Sequence, residues 1–221
     1  IVDKFYSTFG FDLQVRFSTH DPENFKAYMG SKEAWEKTEK KMLDVLKKRK
    51  VDFIEGIGEA AFYGPKIDFI AKDSLEREWQ VATIQLDFNQ PEGFNLSFIN
   101  ETGEKERVVM IHAAITGSLE RFLSILIEHV AGKFPLWLNP EQIRILTITD
   151  RSNDYAEEIC KKLKEAGLRV KVDPKSHSIS KKVREAQLSK VNYMITLGDK
   201  EQENKTLSIR TRDGNVKFDV N

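Results

Sequence analysis

The chain has 221 residues, 40% of them hydrophobic and 32% charged, with 35 basic side chains against 35 acidic ones. That is enough apolar material to bury a core, and the balanced charge does not by itself select a polyanion as partner. A single cysteine, Cys160, excludes an intramolecular disulfide and points to a reducing, cytoplasmic setting, while no apolar run long enough for a membrane span and no signal peptide is seen. The balance hides an asymmetry: from Trp137 onward there are 17 basic and 13 acidic residues, so the second part is mildly basic and compatible with a polyanion. The first residue is Ile1 rather than Met, as expected of a fragment.

In chain order, Trp35, Thr38, Met42, Val45 and Leu46 recur at helical spacing. They predict an amphipathic helix capped by Ser31, with Glu33 in its first turn and the run Lys47-Lys48-Arg49-Lys50 at its negative dipole end. AFYGPKIDF, residues 61–69, reads as two extended pieces parted at Gly64-Pro65. WQVATIQLDF, residues 79–88, reads as a strand with Ile84, Leu86 and Phe88 on one face and Thr83, Gln85 and Asp87 on the other. A hairpin turn at Asn100-Glu101-Thr102-Gly103 is expected to join Leu96–Ile99 to Val108–Ile111. After Ser118, the residues Leu119, Phe122, Leu123, Leu126, Ile127 and Val130 keep helical spacing until Gly132 stops them. The first part therefore predicts one sheet with a long apolar helix packed on it.

The segment from Phe134 to Pro140 reads as a domain junction, stiffened by two prolines and apolar enough to dock. Beyond it, strand and helix alternate: strand 143–149, helix 152–166, a strand in LRVKVD, helix 179–191, a strand in YMITLG, then a hairpin around Asp213-Gly214. The expected class is α/β, with an α+β piece built on an antiparallel sheet over 1–135 and a small α/β domain with a mixed sheet over 136–221.

Three features could carry chemistry, and each has a plain alternative. Arg121, one turn inside an apolar helix, could snorkel or pair with a surface carboxylate; it could also aim past the helix start at a phosphate, with Gly117 and Ser118 keeping that entry uncrowded. Thr83, Gln85 and Asp87 could be a solvated sheet face or the floor of a polar pocket. His112 could be a hydrogen-bonded structural histidine or a metal ligand, although no other histidine stands at ligand spacing.

The blocks AFYGPKIDF, WQVATIQLDFNQPEGF, MIHAAITGSLERF, FPLWLNPEQI, GDKE and IRTRDG, in this order and spacing, resemble the C-terminal half of the threonyl-tRNA synthetases, which are class II aminoacyl-tRNA synthetases. The resemblance covers nearly the whole chain. It implies a class II synthetase-like catalytic piece followed by an anticodon-binding domain. It implies that G-S-x-E-R-F is motif 3, with Arg121 contacting the ATP γ-phosphate and Gly117 and Ser118 lining the adenylate pocket. Arg121, Gln85 and Lys66 are the residues to which it assigns catalysis, and Tyr63, Gln80 and Thr83 join the substrate site. Gln80 has the opposite strand parity to Thr83 and Gln85, so a bulge near Val81-Ala82 is needed for all three to face one pocket.

By the same resemblance His112 is the third ligand of a catalytic Zn2+, whose first two ligands, like motifs 1 and 2, lie before the block that starts this chain. ATP and Mg2+ are the other cofactors implied; threonine and its tRNA are the substrates, and the full-length protein is expected to be a homodimer. The isolated chain is expected to be inactive in aminoacylation. Glu201 and Arg210 match positions that read anticodon bases, with a cross-strand ion pair between them as the alternative. Lys175, Lys181, Lys182 and Arg184 are candidate phosphate contacts. Ala82, Gly93 and Ala113 depart from the family pattern. Those losses keep a second reading open, a synthetase-like tRNA-binding module without catalysis.

Overall fold

The computed structural model describes residues 1–87 and 89–220 and divides into two compact units, Ile1–His129 and Val130–Asn221. Phe88, expected to share a face with Ile84 and Leu86, lies outside the described residues.

The first unit runs α1 (Val2–Thr8), β1 (Leu13–Thr19), a 3-10 stretch at Pro22–Ala27, α2 (Lys32–Lys48), β2 (Phe53–Ile57), β3 (Lys66–Lys72) and β4 (Glu78–Asp87). It continues through α3 (Gln90–Gly93), β5 (Ser97–Ile99), β6 (Lys105–Arg107), β7 (Met110–Ala114) and α4 (Leu119–His129). Five strands form one sheet in the order β2-β1-β3-β4-β7. β1 and β2 pair in parallel, as a crossover through α2 allows, and the other neighbours are antiparallel. α2 starts as expected, with Ser31 Oγ accepting from the Ala34 amide, and it buries Trp35, Met42 and Leu46. α1 and α4 meet through aromatic rings: Phe122 lies 5.9 Å from Tyr6 and 5.4 Å from Phe9, both edge-on.

One pairing corrects the sequence reading. β5 pairs with β6, not with Val108–Ile111. Asn100 Oδ1 accepts from the amides of Thr102 and Glu104, which closes the turn tightly and sets Ile99 opposite Lys105. The chain then leaves the hairpin, and β7 joins β4 with Gln85 opposite His112.

The second unit runs β8 (Ile143–Thr147), a 3-10 turn at Asp150–Ser152, α5 (Asn153–Glu165), β9 (Val170–Asp173), α6 (Ile179–Leu188), β10 (Tyr193–Leu197), α7 (Asp199–Asn204), β11 (Leu207–Thr211) and β12 (Val216–Val220). The sheet order is β12-β11-β10-β8-β9; β8 is parallel to both of its neighbours, and the β11–β12 hairpin is antiparallel. Strand alternation sends Ile143, Ile145 and Leu197 toward α5 and Leu146 and Met194 toward α6, so the two helices cover opposite faces. The proline-bounded segment docks on this unit. Phe134 O accepts from Arg212 and Asn192, and Trp137 O accepts from Arg169.

Gly64 is the tightest glycine in the first unit: a Cβ there would lie 1.8 Å from Leu86 O. Gly64→Ala should therefore cost roughly 3 kcal/mol by overpacking. Gly93, with nothing within 4 Å of its would-be Cβ, should accept Ala with no loss. Thermal melts of the two variants against the parent check this pair; a Gly64→Ala melt equal to that of the parent would contradict it.

Candidate functional site

β4 builds the site through an irregularity. Phe69 pairs with Ala82, yet Ile70 pairs with Gln80, so Val81 is an extra residue on β4. This is the bulge that the parity of Gln80 required. Beyond it Gln80 and Thr83 turn to the same carboxylate: Gln80 Nε2 donates to Asp68 Oδ1 at 2.7 Å and Thr83 Oγ1 at 2.9 Å. On the other oxygen, Ser18 Oγ donates at 2.8 Å, Lys66 Nζ pairs at 2.9 Å and Arg16 approaches to 3.8 Å. Asp68 is fully buried. Sequence reasoning missed it; the available signal was an aspartate inside the apolar strand of K-I-D-F-I-A, a place where a carboxylate survives only if paired.

The bulge also frees two backbone carbonyls. Tyr6 donates its hydroxyl to Val81 O at 2.8 Å, and burial pushes that phenol up to about 12, so it stays a donor. Arg121 NH1 donates to Gln80 O at 3.0 Å. Arg121 is thus neither snorkelling freely nor paired with a carboxylate; it is tied to the edge of the polar face and exposed, with further guanidinium donors to spare. Ser118 Oγ accepts from the Arg121 amide and caps α4. Gly117 has φ +58°, and a Cβ there would stand 2.9 Å from Val81 O, so both backbone and space call for glycine.

Further along the same face, Tyr63 donates its hydroxyl to Gln85 Oε1 at 2.7 Å, and Asn89 Nδ2 holds Tyr63 O. Asp87 is buried; its Oδ1 accepts from the amides of Asn89 and Gln90, and its Oδ2 meets His112 Nε2 at 2.9 Å. An ionised carboxylate can only accept, so Nε2 carries a proton, and in the neutral ring this tautomer leaves the lone pair on His112 Nδ1. That is how a metal-binding histidine is commonly oriented. Among the described residues, however, no group of three or more His, Cys, Asp or Glu side chains could hold a metal. The chain's described residues therefore offer zinc one suitable nitrogen and not a site. Cross-strand register places Asp68 opposite Thr83, Lys66 opposite Gln85 and His112 opposite Gln85, so the polar face is an interlocked, half-buried floor. Of the departures from pattern, Ala82 is buried, while Gly93 and Ala113 are exposed.

In the second unit Glu201 and Arg210 line one cavity of about 550 Å³, together with Ile148, Ile179, Val183 and Ser208. The cross-strand ion pair is not formed. Glu201 accepts from Ser208 Oγ at 2.8 Å and from the Gly198 amide at 3.0 Å, and Arg210 donates to Gly214 O at 3.4 Å. Lys175, Lys181 and Arg184 are exposed, as phosphate contacts require. Lys182 is not. It is 2% exposed, with its ammonium donating to Thr147 O and Asp173 O, because the carbonyls at two strand ends need donors and the long stem of Lys182 reaches them from α6.

Asp68→Asn should destabilise the first unit by about 3 kcal/mol, since Lys66, Ser18, Gln80 and Thr83 lose a shared charged acceptor in a buried place. Denaturant unfolding of that variant beside the parent tests this, and a change below about 0.5 kcal/mol would show that the network is not what holds the face.

Residues 1–130 match the family described as tRNA synthetase class II core domain (G, H, P, S and T), and residues 142–221 match the Anticodon binding domain family. A threonine–tRNA ligase from Acetivibrio thermocellus is 49% identical over 217 residues, which is 98% of this chain and 34% of the relative. One from Natranaerobius thermophilus is 51% identical over the same shares. The chain thus spans about a third of the length of these curated relatives. Among solved structures, the RNA binding domain of threonyl-tRNA synthetase from Cryptosporidium parvum superposes with a TM-score of 0.91 at 36% identity, covering 99% of this chain and 55% of that one. A putative threonyl-tRNA synthetase from Aeropyrum pernix gives a TM-score of 0.73 at 32% identity, covering 98% and 54%. The bulged polar floor, the glycine-entered helix with its arginine and the basic α/β unit all sit in regions matched by these profiles and relatives, and the chain belongs to the threonyl-tRNA synthetase family of class II aminoacyl-tRNA synthetases, with a class II core portion followed by an anticodon-binding domain.

Proposed function

We propose that this chain works as part of a threonine–tRNA ligase, with residues 1–135 contributing to the catalytic core and 136–221 forming the anticodon-binding domain. The observation that carries the reading is the tie between Arg121 and Gln80 O, which holds a cation at the entry to α4 and at the edge of the Asp68 floor.

In the proposed reaction the threonine carboxylate attacks the α-phosphorus of ATP, pyrophosphate leaves, and the threonyl group then passes to a ribose hydroxyl at the 3′ end of a threonine tRNA. Such chemistry asks the protein mainly for positioning and for neutralising charge on oxygens. Arg121 would take the γ-phosphate, for which its unspent paired donors suit it. Gly117 and Ser118 would let the nucleotide approach the start of α4, where free amides and the helix dipole favour an anion. Gln80 and Thr83, fixed by Asp68, would lie under the adenylate, while Lys66, Tyr63 and Gln85 would border the amino acid. Mg2+ bound with ATP would supply further positive charge against the phosphates. His112 Nδ1 would be one ligand to Zn2+, and the others would have to come from outside these residues. Glu201, Arg210 and the exposed Lys175, Lys181 and Arg184 would meet the anticodon stem and loop. The full-length enzyme would be a cytoplasmic homodimer.

Arg121→Ala in the full-length protein should lower kcat/KM for ATP–pyrophosphate exchange about 100-fold, the scale of one lost charge-stabilising donor, and leave the melting temperature unchanged because Arg121 is exposed. An undiminished exchange rate would sink the assignment. A full-length protein that binds threonine tRNA yet shows no exchange at all would instead favour the tRNA-binding module.

A further inference from the structure

Lys182 is a buried charged side chain that the proposed function leaves without a task. Its ammonium is inside the second unit and has three acceptors: Thr147 O at 2.8 Å, Asp173 O at 2.9 Å and Thr147 Oγ1 at 3.3 Å. These use all three of its N–H bonds, so none is left for an RNA phosphate. Thr147 and Asp173 are the last residues of β8 and β9, and Lys182 itself is on α6. One side chain therefore joins a helix to two strand ends.

α6 and the residue that follows β8 line the cavity that holds Glu201 and Arg210. α6 supplies Ile179 and Val183 to its wall. The residue after Thr147 is Ile148, which also lines it and whose amide donates to Leu197 O at 2.9 Å. The space beside Gly198 is closed by Ile148 and Glu201: a Cβ added there would lie 2.9 Å from Ile148 Cδ1 and 3.3 Å from Glu201 Oε2. Gly198 N holds that same oxygen. A chain of bonded neighbours and hydrogen bonds thus runs from the Lys182 ammonium through Thr147, Ile148, Leu197 and Gly198 to the carboxylate of Glu201.

We propose that Lys182 is a positioning residue for anticodon discrimination: it clamps α6 to the ends of β8 and β9, fixes the distance between cavity wall and Glu201, and does not itself touch RNA. The inference rests on the reading of this cavity as the anticodon site. An exposed lysine that contacts a phosphate strengthens binding to all sequences alike and steepens the salt dependence, so its loss weakens all and lowers the slope. A buried clamp does the opposite, altering preference between sequences while the count of phosphate contacts stays the same.

The test uses the 221-residue chain, the anticodon stem-loop of a threonine tRNA and a stem-loop with the anticodon scrambled, each titrated over a salt series. The parent should prefer the correct loop. Lys182→Met should lose about tenfold of that preference, the scale of one misplaced base contact, with the salt slope unchanged. Lys175→Gln should keep the preference and lower the slope by about one. A Lys182→Met variant that keeps its preference, or that lowers the slope instead, overturns the proposal. If Lys182→Met does not fold, the ammonium signal of Lys182 in the parent chain decides. Equal binding of both loops by the parent removes the anticodon reading itself, and the inference with it. Lysine ammonium NMR gives a variant-free check. A slowly exchanging Lys182 signal, unmoved by the stem-loop, is expected, and a signal that shifts as strongly as those of surface lysines contradicts the clamp.

Discussion

A carboxylate buried in a sheet survives only if its neighbours supply donors, and in the first unit that requirement organises everything on the polar face. Asp68 collects donors from β1, β3 and β4: Ser18, Lys66, Gln80 and Thr83, with Arg16 farther off. Gln80 and Thr83 can both reach it because Val81 is inserted into β4 between them in register. The same insertion exposes two carbonyls, and these recruit Tyr6 from α1 and Arg121 from α4. One extra residue in a strand thus sets the floor, its support from below and the cation at its rim. Polar networks of this kind rigidify when fully satisfied, and a rigid floor is what positioning chemistry needs.

The second unit has the converse arrangement. There one buried charge is a cation, Lys182, and its partners are mainly the carbonyls at strand ends rather than a carboxylate. The two buried groups do similar mechanical work. Each gathers elements that are distant in sequence, while other cations of the same unit stay exposed: Arg121 in the first unit, Lys175 and Lys181 in the second.

Where a pattern was periodic, the sequence was readable. α2 with its Ser31 cap, the alternation of helix and strand after residue 142, and the two faces of β4 all rest on spacing alone. The bulge at Val81 was legible as a conflict: a glutamine of wrong parity that had to share a face with Thr83 and Gln85. β1, β2 and the short α1 and α7 were not legible. β2 contains Gly56 and exposes Ile54 and Ile57, so it shows no buried face to betray it. The β5–β6 hairpin was misregistered because Val108 and Val109 run straight into Met110 and Ile111, and hydrophobicity alone does not mark where one strand ends. Asp68 and Lys182 escaped for a shared reason. Composition counts a charge as surface, and only tertiary structure shows that it is inside.

The proposed nucleotide floor would lie across β3, β4 and β7 with Arg121 at its rim. The most direct measurement is an amide and side-chain NMR titration of the chain with a non-hydrolysable threonyl-adenylate analogue. Shifts concentrated at Tyr63, Gln80, Thr83, Gln85, Gly117 and the Arg121 guanidinium are expected, with the second unit undisturbed. Shifts centred elsewhere, or a ligand that saturates the chain without moving Arg121 and Gln80, would contradict it.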